Sequence, residues 1–305
     1  MTEPKTLQEA VLYFSDPDNC LNYLVAKRWP KGIVCPTCGS KNVSFNGSRR
    51  IWQCSSHHAM RQFSVKVGTI FEDSPIGLYK WLTAVWMITN DKNGISSYEV
   101  ARGIGVTQKT AWFMMHRIRL ALQDETGGKL GGEVEVDETF IGGRARNVHL
   151  DKRQEKITGT GGSGKVAVMG MLERKGRVRT KVVPNVRKRQ LQPIVQEHVA
   201  AGSNVFTDAL QSYDGLDRDY IHSVIDHAEA YVKENVHTNG LENYWSLLKR
   251  TIRGTYVSVE PFHLFRYLDE QAFRFNNRED FADRDRFDLA VSQIIGKRLT
   301  WNRLT

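Results

Sequence analysis

Three acidic residues on three separated segments open the chemical reading of this chain. They are Asp137 in VEVDETFIGG (134–143), Asp208 in NVFTDALQSY (204–213) and Glu242 in HTNGLENYWSLLKR (237–250). Carboxylates are the hard oxygen ligands that Mg²⁺ prefers. Two such ions can clamp the attacking and the leaving oxygen of a phosphodiester displacement. The acids around Asp137, namely Glu133, Glu135 and Glu138, compete with it for this role. Alternation along the strand sets Val134 and Val136 on one face and Glu135 and Asp137 on the other, an arrangement usual for a half-exposed strand. Asp137 is favoured because it closes the apolar pattern just before the turn residues of TFIGG. Asp208 repeats the arrangement after Val205-Phe206. In the third segment Leu241, Tyr244, Trp245, Leu248 and Ile252 form an apolar stripe of helical period. Glu242 and Lys249 flank one edge of that stripe two turns apart, and Arg253 continues it, so the acid can face strand ends while the cations meet a DNA phosphate. Taken singly, an Asp after a strand is usually a turn or cap residue, and a Glu–Lys pair is usually solvated. The combination points to nucleic-acid chemistry.

A second set of residues could hold a metal for structure. Cys35-Pro-Thr-Cys38 is a two-residue knuckle, and WQCSSHHAM supplies Cys54, His57 and His58. This spacing fits a tetrahedral Cys₃His zinc shell. A module of roughly 40 residues buries too little core to stand alone, so the metal would nucleate its fold. Spacing leaves both histidines open as the fourth ligand. Cys20 falls outside the pattern, on an apolar helix, and reads as a core residue.

The elements that must position these groups follow from periodicity. Residues 5–29 show helical spacing interrupted at Asp16-Pro17-Asp18. Residues 74–90 predict a helix, with Ser74 placed to cap it and Pro75 in its first turn. Residues 95–122 predict two helices separated by Gly-Val-Thr, with Thr107 capping the second, a helix-turn-helix pattern that is also that of an ordinary helical hairpin. TGGKLGG (126–132) reads as a linker. Beyond it, strands are expected at 133–141, 165–173 and 178–183, a helix at 187–200, strands at 204–208 and 220–225, and a helix at 237–252. The result is a mixed α/β sheet, with 144–164 as an insertion between its first two strands.

Composition narrows the classes. A length of 305 residues suggests two or three domains, and 40% apolar with 25% charged residues permits ordinary cores. No apolar run approaches the roughly 18–20 residues needed to cross a bilayer. The start MTEPKTLQEAVLYF lacks the pattern of a secretory signal. Three of the four cysteines sit between 35 and 54, unlike a secreted disulfide framework. A cytosolic protein is expected. The net charge of +9 is concentrated in 144–190, where 14 Lys/Arg face three acids. Such a block suits a phosphate backbone, although a basic run by itself is as often a solvated loop.

The segments CPTCGS, QFSVKVGTIFEDSPIGLYKW, VEVDETFIGG, VFTDALQSY, HTNGLENYWSLLKR and FRYLDEQAFRFNNR together resemble bacterial insertion-sequence transposases of the DDE class, in the ISXO2-like group. The resemblance covers about residues 15–280. It implies an α/β, ribonuclease H-like mixed-sheet catalytic domain preceded by a zinc ribbon and a helix-turn-helix. The implied layout is N-terminal helices at 1–32, the ribbon at 33–73, the DNA-binding helices at 74–125, the catalytic domain at 131–280 and a C-terminal tail at 281–305. It carries over Asp137, Asp208 and Glu242 as ligands of catalytic Mg²⁺ or Mn²⁺, with Asp137 bridging two ions, and Lys249 as the cation two turns after the third acid. The third motif has the form H-x-N-x-x-E, so Asn239 competes with Glu242; a carboxylate is the better Mg²⁺ ligand. Zn²⁺ is expected on Cys35, Cys38, Cys54 and a histidine, and alignment on the following RQFS favours His58 over His57. The implied partners are double-stranded DNA, both terminal repeats and target, and a second copy of the chain or more; no membrane is implied, and the location is cytoplasmic, on the nucleoid. Two other readings remain open: a non-catalytic DNA-binding regulator with a decayed catalytic domain, and a ribonuclease or repair nuclease of the same fold.

Overall fold

The structure is a computed structural model describing residues 3–123, 127–142, 164–225 and 237–304. The chain divides into two compact units, one of residues 1–123 with 279–305 and the other of residues 124–278.

In the first unit, α1 (Leu7–Phe14) and α2 (Pro17–Arg28) are separated where Asp16 caps α2 and Pro17 occupies its first turn. Strands β1 (Val43–Asn46), β2 (Ile51–Cys54) and β3 (Gln62–Phe63) form a small antiparallel sheet in that order. Trp29, Trp52 and Phe63 pack beside it edge-on and stacked, giving the sheet a small aromatic core. Helix α3 (Leu78–Asn90) starts later than the sequence suggests. Its N-cap is Gly77, with no side-chain cap bond, while Ser74 Oγ accepts from Trp81 Nε1 at 3.1 Å. The hydroxyl also accepts from the Ile76 N–H at 3.2 Å, so it closes a turn ahead of the helix and holds the buried indole instead of capping the helix end.

Helices α4 (Ser97–Ile104) and α5 (Gln108–Ala121) flank Gly105, which adopts left-handed backbone at φ 62°. Thr107 Oγ1 accepts from the Thr110 N–H, as a cap should. The segment expected as a C-terminal tail is instead part of this unit. Its helix α9 (Asp283–Ser292) buries Phe287 against Phe14, Tyr23 and Trp86, and Ile295 bridges to Thr69. Phe287 and Ala290–Val291 give that helix its apolar side.

The second unit holds a five-stranded mixed sheet. Its strands are β4 (Glu133–Ile141), β5 (Val166–Glu173), β6 (Val178–Val183), β7 (Asn204–Asp208) and β8 (Ile221–Ile225), in the order β6-β5-β4-β7-β8. β4, β5 and β6 pair antiparallel, whereas β7 and β8 run parallel to β4. Helices pack on both faces of the sheet; along β4 Glu135 is buried, Asp137 and Glu138 are half-buried and Glu133 is exposed. Helix α6 (Lys188–His198) packs Leu191 and Val195 on Val134, Val136, Met169 and Val205. On the other face α7 (Asn239–Thr251) and α8 (Leu264–Asn276) bring Leu241, Tyr244, Trp245, Leu248 and Phe275 onto Val168 and Leu172. The expected insertion at 144–164 lies outside the described residues except for residue 164.

Candidate metal centres

Asp137 sits on β4 just past the stretch paired with β7, which ends at Glu135 opposite Phe206, and Asp208 is the last residue of β7. The two parallel strands diverge there, which is where open α/β sheets present ligand sites. Asp137 Oδ1 accepts from the Glu138 N–H at 2.8 Å and its Oδ2 from Trp245 Nε1 at 2.9 Å. Asp208 Oδ1 accepts from the Leu210 N–H at 3.2 Å. Carboxylate oxygens of Asp137, Glu138 and Asp208 lie within 4.8 Å of one another.

The electrostatics of this cluster are those of crowded anions. Burial raises the Asp137 carboxyl above its ordinary range; the bonds from Trp245 and the Glu138 N–H oppose this, and the charges of Asp208 and Glu242 add to it. Glu138 is pushed up to about 8, by burial first and then by Asp137 and Asp208. Its Oε1 is buried with no hydrogen-bond partner. An orphaned carboxylate oxygen beside two further acids is the environment a divalent cation fits, because the cluster offers oxygen ligands and lacks the positive charge that would balance them.

The sequence-derived residues divide as follows. Asp137 and Asp208 are brought together. Glu242 is exposed on the first turn of α7, outside the three-acid cluster, although its charge is felt at Asp137. Asn239, the first residue of the same helix, is exposed and is not part of the cluster. Lys249 is half-buried; its pKa is lowered by burial, then by Arg253 and Lys165, while Asp137 opposes. Lys249 is thus crowded by two further cations and stands within electrostatic reach of Asp137, a pattern a phosphate would relieve.

In the sequence Glu138 reads only as a competitor of Asp137, and Trp245 only as part of the apolar stripe. Gly170 gave no signal at all, yet it faces Asp137 across β4 and β5. A Cβ there would stand 2.6 Å from Trp245 Cζ2, so only glycine lets the indole lie over the strand and reach the carboxylate.

In the first unit, Cys35, Cys38, Cys54 and His58 offer ligand atoms within 4.8 Å of one another. Cys35 and Cys38 lie on the turn before β1, where Gly39 adopts φ 72°, and Cys54 ends β2. Cys38 Sγ is 3.7 Å from Cys54 Sγ, and Cys35 Sγ is 3.4 Å from His58 Nε2. A tetrahedral zinc with ordinary bond lengths places sulfurs about 3.8 Å apart and sulfur and nitrogen about 3.6 Å apart. The four groups fit that shell. His57 is exposed and outside the cluster.

Comparisons with known proteins agree in kind. Residues 129–276 match the model of the ISXO2-like transposase domain, and residues 15–58 match the transposase zinc-ribbon domain. An uncharacterized transposase-like protein of Haemophilus influenzae is 38% identical over 106 residues, spanning 34% of this chain and 85% of that protein. An uncharacterized protein in transposable element ISH50 of Halobacterium salinarum is 29% identical over 243 residues, 75% of this chain and 81% of that protein. These matches support a transposase with a zinc-ribbon domain and a mixed α/β domain. The chain belongs to the ISXO2-like transposase family. Among the described residues no helix is long and apolar enough to cross a membrane.

Proposed function

We propose that this chain is an active DDE transposase, which binds the ends of an insertion sequence and carries out DNA strand cleavage and strand transfer. On this reading the second unit is a ribonuclease H-like catalytic core. The strand order β6-β5-β4-β7-β8, with only the last two strands parallel to β4, supports it. The observation that carries the proposal is the meeting of Asp137, Glu138 and Asp208 at the ends of β4 and β7, with the charge of Glu242 felt from α7 and Lys249 within electrostatic reach of Asp137.

Asp137, Asp208 and Glu242 would hold the catalytic ions, with Glu138 able to contribute its unpartnered oxygen. Bound there, a pair of Mg²⁺ or Mn²⁺ ions supplies activation of the attacking oxygen and stabilisation of the charge on the leaving one. Trp245 and the Glu138 N–H hold the Asp137 carboxylate in one orientation throughout. Lys249 and Arg253 receive the phosphate being attacked, and burial of Lys249 strengthens that contact. In the first step water breaks a phosphodiester at the element's end and leaves a free 3′-OH. In the second, that hydroxyl forms a new ester with a target phosphate and displaces the target's own 3′-oxygen.

The first unit would select the DNA. The zinc ribbon around Cys35, Cys38, Cys54 and His58, together with α4 and α5 as a helix-turn-helix, would read the terminal repeats, and basic residues in 144–190 would grip backbone. Joining two ends would require at least a dimer.

The test uses the full chain and a short duplex carrying the two ends of the element that encodes it. With Mg²⁺ the expected products are nicks exposing 3′-OH groups at the ends and a joined product with a second duplex; chelation removes both. End-specific binding with no cleavage in Mg²⁺ or Mn²⁺ would replace this reading with that of a regulator. A preference for RNA–DNA hybrid would replace it with that of a nuclease.

A further inference from the structure

The third acidic segment contains more than Glu242, and the strand of Asp137 contains more than Asp137; the residues left over on each meet one another. Glu135 is 1% exposed on β4, on the same face as Asp137. Its Oε2 accepts from the Leu241 N–H at 2.9 Å, and its Oε1 accepts from Arg174 Nε at 3.1 Å and lies 3.4 Å from His237 Nδ1. Arg174 also donates to the His237 carbonyl at 2.7 Å, and its guanidinium lies 4.1 Å from the centre of the Phe206 ring on β7. Gly240 has no room for a side chain, since a Cβ would meet Leu172 Cδ2 at 2.5 Å and Glu135 Oε2 at 2.8 Å.

These contacts solve a problem at the start of α7. Its N-cap, Thr238, makes no side-chain cap bond, which leaves the first backbone N–H groups to find partners elsewhere. Glu135 supplies one from the sheet, and a carboxylate there also complements the helix dipole. Four residues later along the same helix, Trp245 donates to Asp137, two residues after Glu135 on the same strand. The helix is therefore fixed to β4 at two points, Leu241 on Glu135 and Trp245 on Asp137. Glu242 lies between them in sequence, next to the first.

We infer that Glu135, braced by Arg174 and His237, is a positioning residue for the metal site. It docks the first turn of α7 on β4 and so sets where the Glu242 carboxylate stands relative to Asp137. This gives a task to His237 and Gly240 in the third motif, and to Glu135 in the first, none of which need touch DNA or metal. The inference rests on the reading of Glu242 as a metal ligand, but its structural half is independent of that reading.

The experiment compares wild type, Glu135→Gln, Gly240→Ala, Glu242→Gln and the double variant Glu135→Gln/Glu242→Gln, all as the full chain. Gly240→Ala disturbs the same contact from the helix side and keeps every charge, so the inference remains testable if the buried Glu135 variant folds poorly. Hydrogen exchange read by mass spectrometry should speed up in residues 237–245 for both Glu135→Gln and Gly240→Ala and stay unchanged in β4 and α8. Unaltered exchange at 237–245 in both variants would overturn the inference. Titration with Mn²⁺ followed by electron paramagnetic resonance should show affinity falling about 10–100-fold in Glu135→Gln, the usual cost of losing a group that orients a ligand. The double variant should bind Mn²⁺ no more weakly than Glu242→Gln alone, because the orienting group acts only through the ligand. Additive losses would assign Glu135 a general structural role and overturn its positioning role. If wild type binds no Mn²⁺, the reading of the acids as a metal site fails, and the exchange data still decide whether Glu135 docks the helix.

Discussion

Asp137 is gripped by donors from opposite sides, the N–H of its own neighbour and the indole of Trp245. Charge-assisted bonds of this kind are worth about 1.5–3 kcal/mol each. Trp245→Phe keeps the ring packed over Gly170 and removes only the donor. It is expected to lower the urea unfolding midpoint of the second unit by that amount of stability; an unchanged midpoint would show the bond to be incidental. Glu138 gives a prediction in pH. Its carboxyl is pushed from the ordinary 4.5 up to about 8, so the folded chain holds this proton more tightly than the unfolded one. The contribution of Glu138 to the stability of the second unit is therefore full below its ordinary carboxyl range and is lost as pH rises through the window from about 4.5 to about 8. A divalent cation replaces the missing proton, so Mg²⁺ should raise the melting temperature more at about pH 8 than at about pH 5.5. Thermal melts at the two pH values decide it, and a larger shift at the lower pH would contradict the argument.

At the scale of elements, β4 and α7 carry the candidate catalytic site, and both could be read from the chain in large part. Alternation over Glu133–Asp137 and a helical stripe from Leu241 to Ile252 are local patterns, and they place Asp137 and Glu242 on named elements. What lies across the sheet is not local. Gly170 opposite Asp137, and the indole it admits, depend on strand register and helix docking, which no window of sequence contains. Glu138 was obscured for the opposite reason. Alternation assigns it to the face of Val134 and Val136, yet beyond the last pairing with β7 the strand is free of that neighbour and the carboxylate comes round to Asp208. Ser74 looked like a cap because of its type and its place before proline; its hydroxyl instead closes a turn with the Ile76 N–H and holds a buried tryptophan. The ribbon was clearer, since its spacing encodes the coordination shell directly. His58→Ala should release about one zinc per chain and raise hydrogen exchange over residues 33–63, while His57→Ala should do neither. Equal zinc retention in both variants would show that neither histidine closes the shell.

At the scale of the whole molecule, the chain leaves its first unit near residue 123, builds the second, and returns at 279 to complete the first. The expectation of a tail failed because α9 is short and its apolar residues are few, so its amphipathic signal is weak without the partners it meets. Phe287 is 1% exposed among Phe14, Tyr23 and Trp86. Phe287→Ala should cost about 3–5 kcal/mol, the usual loss for a buried aromatic. Hydrogen exchange should report that loss in residues 3–123 and leave the sheet of the second unit unaffected; faster exchange in β4–β8 would mean that the two units do not unfold separately. If the first unit selects DNA and the second cuts it, this separation also allows binding and chemistry to be measured apart. The direct measurement is single-turnover cleavage of a duplex bearing the element's ends, in Mg²⁺, with end binding recorded on the same samples. Asp137→Asn, Asp208→Asn and Glu242→Gln should each retain end binding and lose cleavage, while Asn239→Ala should keep both. Cleavage at wild-type rate by any of the three carboxylate variants would contradict the account, as would a dead Asn239→Ala beside an active Glu242→Gln.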